Sequence, residues 1–195
     1  MEVRALKPYI SADRLRERVD QLGRQISADY PETVEGAELW LVVVLKGAGT
    51  FAADLARSID RDVRISYVRA SSYADDTASS GRVEIEAQPG LEVAGADVVV
   101  VEDIVDTGRT ANALLRVILD RGPRSVKIAA LLDKPSRRAE PVQVEYRGFE
   151  IPDLFVVGYG LDFAERYRNL PDVRVLEFES EGNAVRSSPP KSELT

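Results

Sequence analysis

Val98–Thr110 reads VVVVEDIVDTGRT, and the rest of the chain is organised around it. Four consecutive β-branched residues, Val98 to Val101, predict a strand buried on both faces, as in the middle of a parallel sheet. The apolar run ends abruptly in two carboxylates, Glu102 and Asp103, which the pattern places at the strand's carboxyl end. Asp106-Thr107-Gly108-Arg109-Thr110 then reads as a small-residue turn, and Ala111–Leu119 has the apolar spacing of a helix. A turn feeding a helix N-terminus presents free N–H groups and the positive end of the helix dipole, which suits a phosphate. Two carboxylates beside it can accept hydrogen bonds from sugar hydroxyls. Together these make a place for a ribose 5-phosphate. A plain helix-capping loop is the bland alternative, and a bare Asp-Thr-Gly also occurs in aspartic proteases, though without a preceding acidic pair.

Composition narrows the chemistry. At 195 residues the chain suits one domain with a core large enough for a doubly wound sheet. It contains no cysteine and no histidine, so disulfides, thiolate or imidazole metal sites and histidine-based triads are excluded. Acid–base work falls to Asp, Glu, Lys or Tyr. The net charge of −7 argues against a nucleic-acid partner, and local basic pairs such as Arg137-Arg138 are diluted by neighbouring acids. No apolar run approaches the length of a bilayer span. The opening MEVRALKPYISADRLRERV is too charged for a signal peptide, so the expectation is a cytoplasmic protein without a membrane partner.

Working outward, Ser11–Tyr30 predicts an amphipathic helix with Ser11 as N-cap and Leu15, Val19, Leu22 and Ile26 on its apolar face. Leu39–Leu45, LWLVVVL, predicts a second buried strand, followed by Lys46-Gly47-Ala48-Gly49-Thr50 and a helix from about Phe51 to Ser58. Gly47–Ala52 also fits a GxGxxA dinucleotide fingerprint, but the nearest acids, Asp60 and Asp62, come too early for its ribose contact. Asp62–Ala70 and Val83–Ala87 read as strands flanking a polar loop, Ser71–Arg82. Gly122-Pro123 stops the helix after the central motif, and Ser125–Leu132 is a further strand ending in Asp133-Lys134-Pro135-Ser136-Arg137-Arg138. Residues 1–178 form the expected domain, and 179–195, rich in Ser, Pro, Gly and charge, the expected disordered tail.

The thirteen residues of the central motif resemble the phosphoribosyl-pyrophosphate (PRPP) signature of the type I phosphoribosyltransferases. Leu45-Lys46-Gly47 resembles that family's pyrophosphate loop, in which the Leu–Lys peptide is often cis; many relatives carry a second Gly where this chain has Ala48. LLDKPSRR and GFEIPDLFVVGYGLDFAERYRNL, residues 148–170, are similar to the 6-oxopurine branch, the hypoxanthine-guanine phosphoribosyltransferases. The resemblance implies an α/β core of about five parallel strands flanked by helices. It also implies a small hood from the N-terminal segment and the region after Lys134, and a flexible lid bearing Ser72 and Tyr73. The implied reaction joins PRPP to N9 of hypoxanthine or guanine and releases pyrophosphate with Mg²⁺ as cofactor, in a homodimer or homotetramer.

The same resemblance assigns roles. Glu102 and Asp103 would meet the ribose hydroxyls, while Thr107, Gly108, Arg109 and Thr110 hold the 5′-phosphate. Lys46, Gly47 and Arg168 would stabilise departing pyrophosphate, Arg168 being expected in a helical segment. Asp106 would share the proton at purine N7. Lys134, Phe155 and Val156 would select the base, through O6, ring stacking and the Watson–Crick edge respectively. Asp162 would join Glu102 and Asp103 around the metal and also meet the purine's far edge.

Overall fold

A computed structural model describes residues 3–31, 38–72, 83–87 and 91–178. In chain order the elements are β1 (Val3–Ile10), α1 (Ala12–Asp29), β2 (Leu39–Leu45), α2 (Ala48–Ser58), β3 (Arg64–Ser72), β4 (Val83–Ala87), β5 (Asp97–Val105), α3 (Arg109–Leu119), β6 (Ser125–Asp133), β7 (Tyr146–Glu150), β8 (Val156–Val157) and β9 (Val173–Phe178). A single 3₁₀ turn, Pro135–Arg137, follows β6. No helix among the described residues is long and apolar enough to cross a membrane.

The main sheet has the order β4-β3-β2-β5-β6-β7. Strands β3, β2, β5, β6 and β7 run parallel, and β4 is an antiparallel edge that pairs with β3. The period-2 alternation of the strands explains how helices cover both faces. Leu39, Leu41 and Val43 of β2, with Val99 and Val101 of β5, join the core beneath α1 and α2. Trp40, Val42 and Val44, with Val98 and Val100, join the opposite core beneath α3. A second sheet, β1-β9-β8, is wholly antiparallel and lies over its own small core of Val157, Leu176 and Phe178. It draws on the N-terminal segment and on residues beyond Lys134, and is called the hood below.

Several boundaries differ from the sequence reading. Strand β5 does not stop at Glu102 but carries both carboxylates inside it and ends at Val105. Backbone pairing with β6 extends through Glu102↔Ala130 to Val105↔Asp133, so the ladder outlasts the apolar run. Helix α2 starts at Ala48 rather than Phe51, directly after the Lys46-Gly47 turn. Residues 162–170 are not helical; they form turns, with left-handed backbone at Ala164, Glu165 and Tyr167. Tyr73, the rest of the loop to Arg82, and the 179–195 tail lie outside the described residues.

One polar contact anchors the central strand. Asp97, the first residue of β5, is buried, and Arg124 and Ser125 at the start of β6 bond to it, Ser125 Oγ at 2.6 Å. Burial alone would push the Asp97 carboxyl up, but these two partners hold it below the usual aspartate range. A depressed carboxylate contributes stability above its unfolded pKa and loses it as pH falls through the folded value. Arg124→Gln is therefore expected to lower Tm at pH 7 by a few degrees, since the guanidinium is half exposed and solvent screens part of its attraction. The deficit should persist down to about pH 4 and shrink only below it, as Asp97 takes up its proton. A constant deficit in a pH series of thermal melts would contradict this role for Asp97.

Candidate active site

The carboxyl ends of the parallel strands bring four segments of chain together: the end of β5 with its turn, the β2–α2 turn, the end of β6, and the hood turns 158–170. Strand alternation splits the two β5 carboxylates. Glu102 turns to the α3 side, where it lines a concavity of about 80 Å³ with Ile104, Asp106, Thr107, Gly108 and Thr110. Asp103 turns to the α2 side and lies against the Lys46-Gly47 turn, so closely that a Cβ on Gly47 would fall 1.6 Å from its Oδ2. The Leu45–Lys46 peptide preceding that glycine is cis.

The phosphate-sized concavity owes its shape to Gly108. This residue has φ +85° and caps α3 without a side chain. A Cβ there would meet the Glu140 carbonyl oxygen at 2.5 Å, so glycine is required both by conformation and by space. The first bond inside the helix runs from the Asn112 N–H to the Gly108 carbonyl at 3.0 Å, and ahead of it the Arg109 N–H makes only a long 3.4 Å contact with Thr107 Oγ1, which an anion can displace. The turn itself is stapled from below, because the Ala139 and Glu140 amides both donate to the Thr107 carbonyl.

Glu102 is 4 % exposed, and its buried Oε1 has no hydrogen-bond partner. Burial, reinforced by the neighbouring Asp103 charge, pushes its carboxyl up to about 8. Burial likewise pushes Asp103 up to about 6, against two backbone bonds and the Arg168 charge that favour ionisation. A polar atom this buried and unmatched normally has a partner. The pair is thus short of positive charge, which is the condition a bound cation would relieve.

The residues expected to meet pyrophosphate converge. Lys46 Nζ meets Glu165 Oε2 at 2.9 Å, and Arg168 bridges Asp162 at 2.8 Å and Glu165 at 3.3 Å while donating to the Gly160 carbonyl. Asp162 raises the proton affinity of Asp103 and Arg168 lowers it, so these groups share one electrostatic neighbourhood. Gly160 abuts the Gly47 carbonyl, and Tyr159 donates to Asp54 of α2 at 2.5 Å, which fastens the hood to the helix carrying the turn. Neither Tyr159 nor Glu165 was singled out by sequence reasoning. Their shared signal was the GYGLDFAERYR string, but nothing in its spacing distinguishes a tether from a ligand.

The residues expected to select the base are partly assembled. Lys134 is buried at the end of β6, and burial holds its ammonium below the usual lysine range, against the attraction of Asp106 and Asp153. Its Nζ lies 3.7 Å from Asp153 Oδ1. Phe155 packs edge-on against Phe163 and Phe178, at centroid distances of 5.6 and 5.8 Å, yet stays partly exposed. Val156 pairs with Val175 of β9 and is buried, leaving backbone rather than side chain for recognition. Arg109 is exposed at the start of α3, and Ser72 is the last residue of β3, opposite Val83.

Among the described residues no three Asp, Glu, His or Cys side chains form a group able to hold a metal alone, so Glu102, Asp103 and Asp162 are not a ready-made cage. Magnesium does not require one: it is ordinarily held by one or two carboxylates together with substrate oxygens and water. The partnerless Glu102 oxygen beside Asp103 fits that pattern.

The folded pKa values of both carboxyls lie above those of an unfolded chain. Their contribution to stability is full below about pH 4 and is lost as pH rises through about 6 and then about 8. Glu102→Gln, which removes the charge but keeps the shape, is expected to raise Tm by a few degrees at pH 8 and by much less at pH 5. A lower Tm at pH 8 would show that the carboxylate is compensated within the protein.

Comparison with known proteins agrees with this geometry. Residues 11–164 match the phosphoribosyl transferase domain. The hypoxanthine-guanine phosphoribosyltransferase of Bacillus subtilis is 43 % identical over 171 residues, which cover 88 % of this chain and 93 % of that protein. The bifunctional protein TilS/HprT of Listeria innocua is 45 % identical over 89 % of this chain, but the chain spans only 26 % of that longer relative. A crystal structure of a hypoxanthine-guanine phosphoribosyltransferase from Bacillus anthracis superposes with a TM-score of 0.79 at 42 % identity, covering 89 % of this chain and 98 % of that one. A hypoxanthine phosphoribosyltransferase structure from Staphylococcus aureus gives 0.80 at 38 % identity, covering 87 % and 90 %. The chain therefore belongs to the phosphoribosyl transferase domain family, among the hypoxanthine-guanine phosphoribosyltransferases.

Proposed function

We infer that the protein works in purine salvage, transferring the 5-phosphoribosyl group of PRPP to N9 of hypoxanthine or guanine, with release of pyrophosphate. The observation that carries this reading is Glu102, which lines the concavity at the start of α3 and keeps a buried oxygen without a hydrogen-bond partner. An anion-binding helix start beside uncompensated carboxylates suits a phosphorylated sugar whose hydroxyls and metal ion meet the acids.

In this reading the 5′-phosphate sits on the amides of Gly108 and Arg109 with the Thr107 and Thr110 hydroxyls. The ribose straddles the end of β5, with Glu102 on one side and Asp103 on the other. A magnesium ion held by these carboxylates, with Asp162 nearby, would neutralise charge on the pyrophosphate as it leaves. Lys46 and Arg168 exchange Glu165 for pyrophosphate oxygens, and cations aimed at a developing anion stabilise the transition state. The Gly47 backbone completes that cradle.

The purine lies between Lys134 and the hood. Asp106 takes the N7 proton as N9 forms its bond to C1; with no histidine in the chain, a carboxylate is the natural base. The Lys134 ammonium donates to O6 and would confront the amino group of a 6-aminopurine, so selection combines an attraction with a repulsion. Phe155 offers the face for stacking and the Val156 backbone meets the Watson–Crick edge.

A product assay dependent on PRPP and Mg²⁺, run with hypoxanthine, guanine, xanthine and adenine side by side, tests this directly. Nucleotide should form from hypoxanthine or guanine and not from adenine; product from adenine alone would refute the base assignment. Asp106→Asn should lower kcat by roughly 10²–10⁴-fold, the usual worth of a positioned base. Lys134→Ala should reduce kcat/KM for hypoxanthine by roughly 10–100-fold, since a hydrogen bond to a charged group is lost, while the KM for PRPP changes little. An unchanged kcat/KM would remove Lys134 from base selection.

A further inference from the structure

Arg137 has no part in the roles described above, yet it pairs with Asp106 and reaches Lys134 through one intermediate carboxylate. Its Nε lies 3.2 Å from Asp106 Oδ1 and its Nη1 lies 3.6 Å from Asp153 Oδ2. Asp153 in turn reaches Lys134 Nζ at 3.7 Å. The four side chains form an alternating chain of charge, Asp106–Arg137–Asp153–Lys134, drawn from the β5–α3 turn, the 3₁₀ turn after β6, and the segment leading into β8. Lys134 senses all three of the others electrostatically.

The neighbouring arginine does a different job. Arg138 is largely buried; it bonds to the buried Asp133 carboxylate and donates to the Asp106 carbonyl at 2.8 Å. With the Lys134 amide bonded to the Val105 carbonyl at 3.0 Å, the backbones of the two loops are already fixed to each other. What the backbone does not fix is the rotamer of Asp106, whose side chain is 37 % exposed, or the end of the long Lys134 side chain. A guanidinium is suited to that task, because its planar fork holds two acceptors at a set spacing.

We propose that Arg137 is a positioning residue: by holding Oδ1 of Asp106 and, through Asp153, the ammonium of Lys134, it sets the proton acceptor for N7 and the donor to O6 at one spacing. This inference rests on the roles proposed for Asp106 and Lys134. Binding Oδ1 leaves Oδ2 to take the proton. The ion pairs are half exposed, and such pairs add little to folding stability, so the contribution should be read in turnover rather than in melting temperature.

The test is a double-mutant cycle with hypoxanthine as substrate. Arg137→Ala should lower kcat on the order of tenfold, as misplacement of a catalytic group does, with Tm within about 2 °C of the parent and the KM for PRPP within about twofold. Arg137→Lys should recover part of the loss. In an Asp106→Asn background, adding Arg137→Ala should cost clearly less than about tenfold, because only the Lys134 arm of its role is left. A parental kcat in Arg137→Ala, or a full tenfold cost persisting in the Asp106→Asn background, would overturn the inference. Asp106→Asn alone separates the two levels: a large loss there with a silent Arg137→Ala defeats only the role of Arg137, whereas normal turnover in Asp106→Asn defeats the base assignment itself.

Discussion

Two carboxylates on consecutive residues of a central strand cannot face the same way, and the geometry of the site follows from that constraint. Strand alternation sends Glu102 toward α3 and Asp103 toward α2, so that one end of β5 both lines the α3 concavity and packs on the β2–α2 turn. The pairing of β5 with β2 ends at Val101, but its pairing with β6 continues past both residues and keeps their backbone in the sheet. The carboxylates are therefore held without internal counter-charge: Glu102 keeps a partnerless buried oxygen, and Asp103 has only backbone bonds and the field of Arg168. Stability is given up at neutral pH so that the strand end can attract positive charge, a common arrangement at functional sites.

Glycine makes the second half of the site possible. The Asp103 carboxylate occupies the space where a side chain on Gly47 would be, and the hood turn at Gly160 closes on the same residue from the other side. Those close approaches bring Lys46 within reach of Glu165, 119 residues away in sequence, which also pairs with Arg168. The Tyr159–Asp54 bond and the edge-on cluster of Phe155, Phe163 and Phe178 hold the hood in that position, so its small core is coupled to the chemistry of the β2–α2 turn.

Much of this was legible in the residue string. The valine runs, LWLVVVL and VVVVEDIVDTGRT, have too little polar interruption for an exposed strand, and each is followed by a Gly-containing turn and a helical pattern, which dictates parallel strands with ligands at their carboxyl ends. The hood was harder to read. Strands β1 and β9 alternate weakly, because Lys7, Arg174 and Glu177 interrupt them and their pairing is set by tertiary contact. Residues 162–170 carry helical-looking composition but adopt turns, since left-handed backbone at Ala164, Glu165 and Tyr167 is imposed by the hood rather than by local preference. The partners of the motif residues were the least visible. Glu165, Tyr159, Asp153 and Arg137 act across sequence separations that no local pattern encodes.

The most direct measurement is a crystal structure of the protein with a purine nucleoside monophosphate bound. The phosphate is expected against the amides around Gly108, the ribose hydroxyls at Glu102 and Asp103, and the 6-oxo group within hydrogen-bonding reach of Lys134. A phosphate bound elsewhere, with the concavity at Gly108 left vacant, would contradict the idea that the acid-bearing end of β5 is built to hold a phosphorylated sugar.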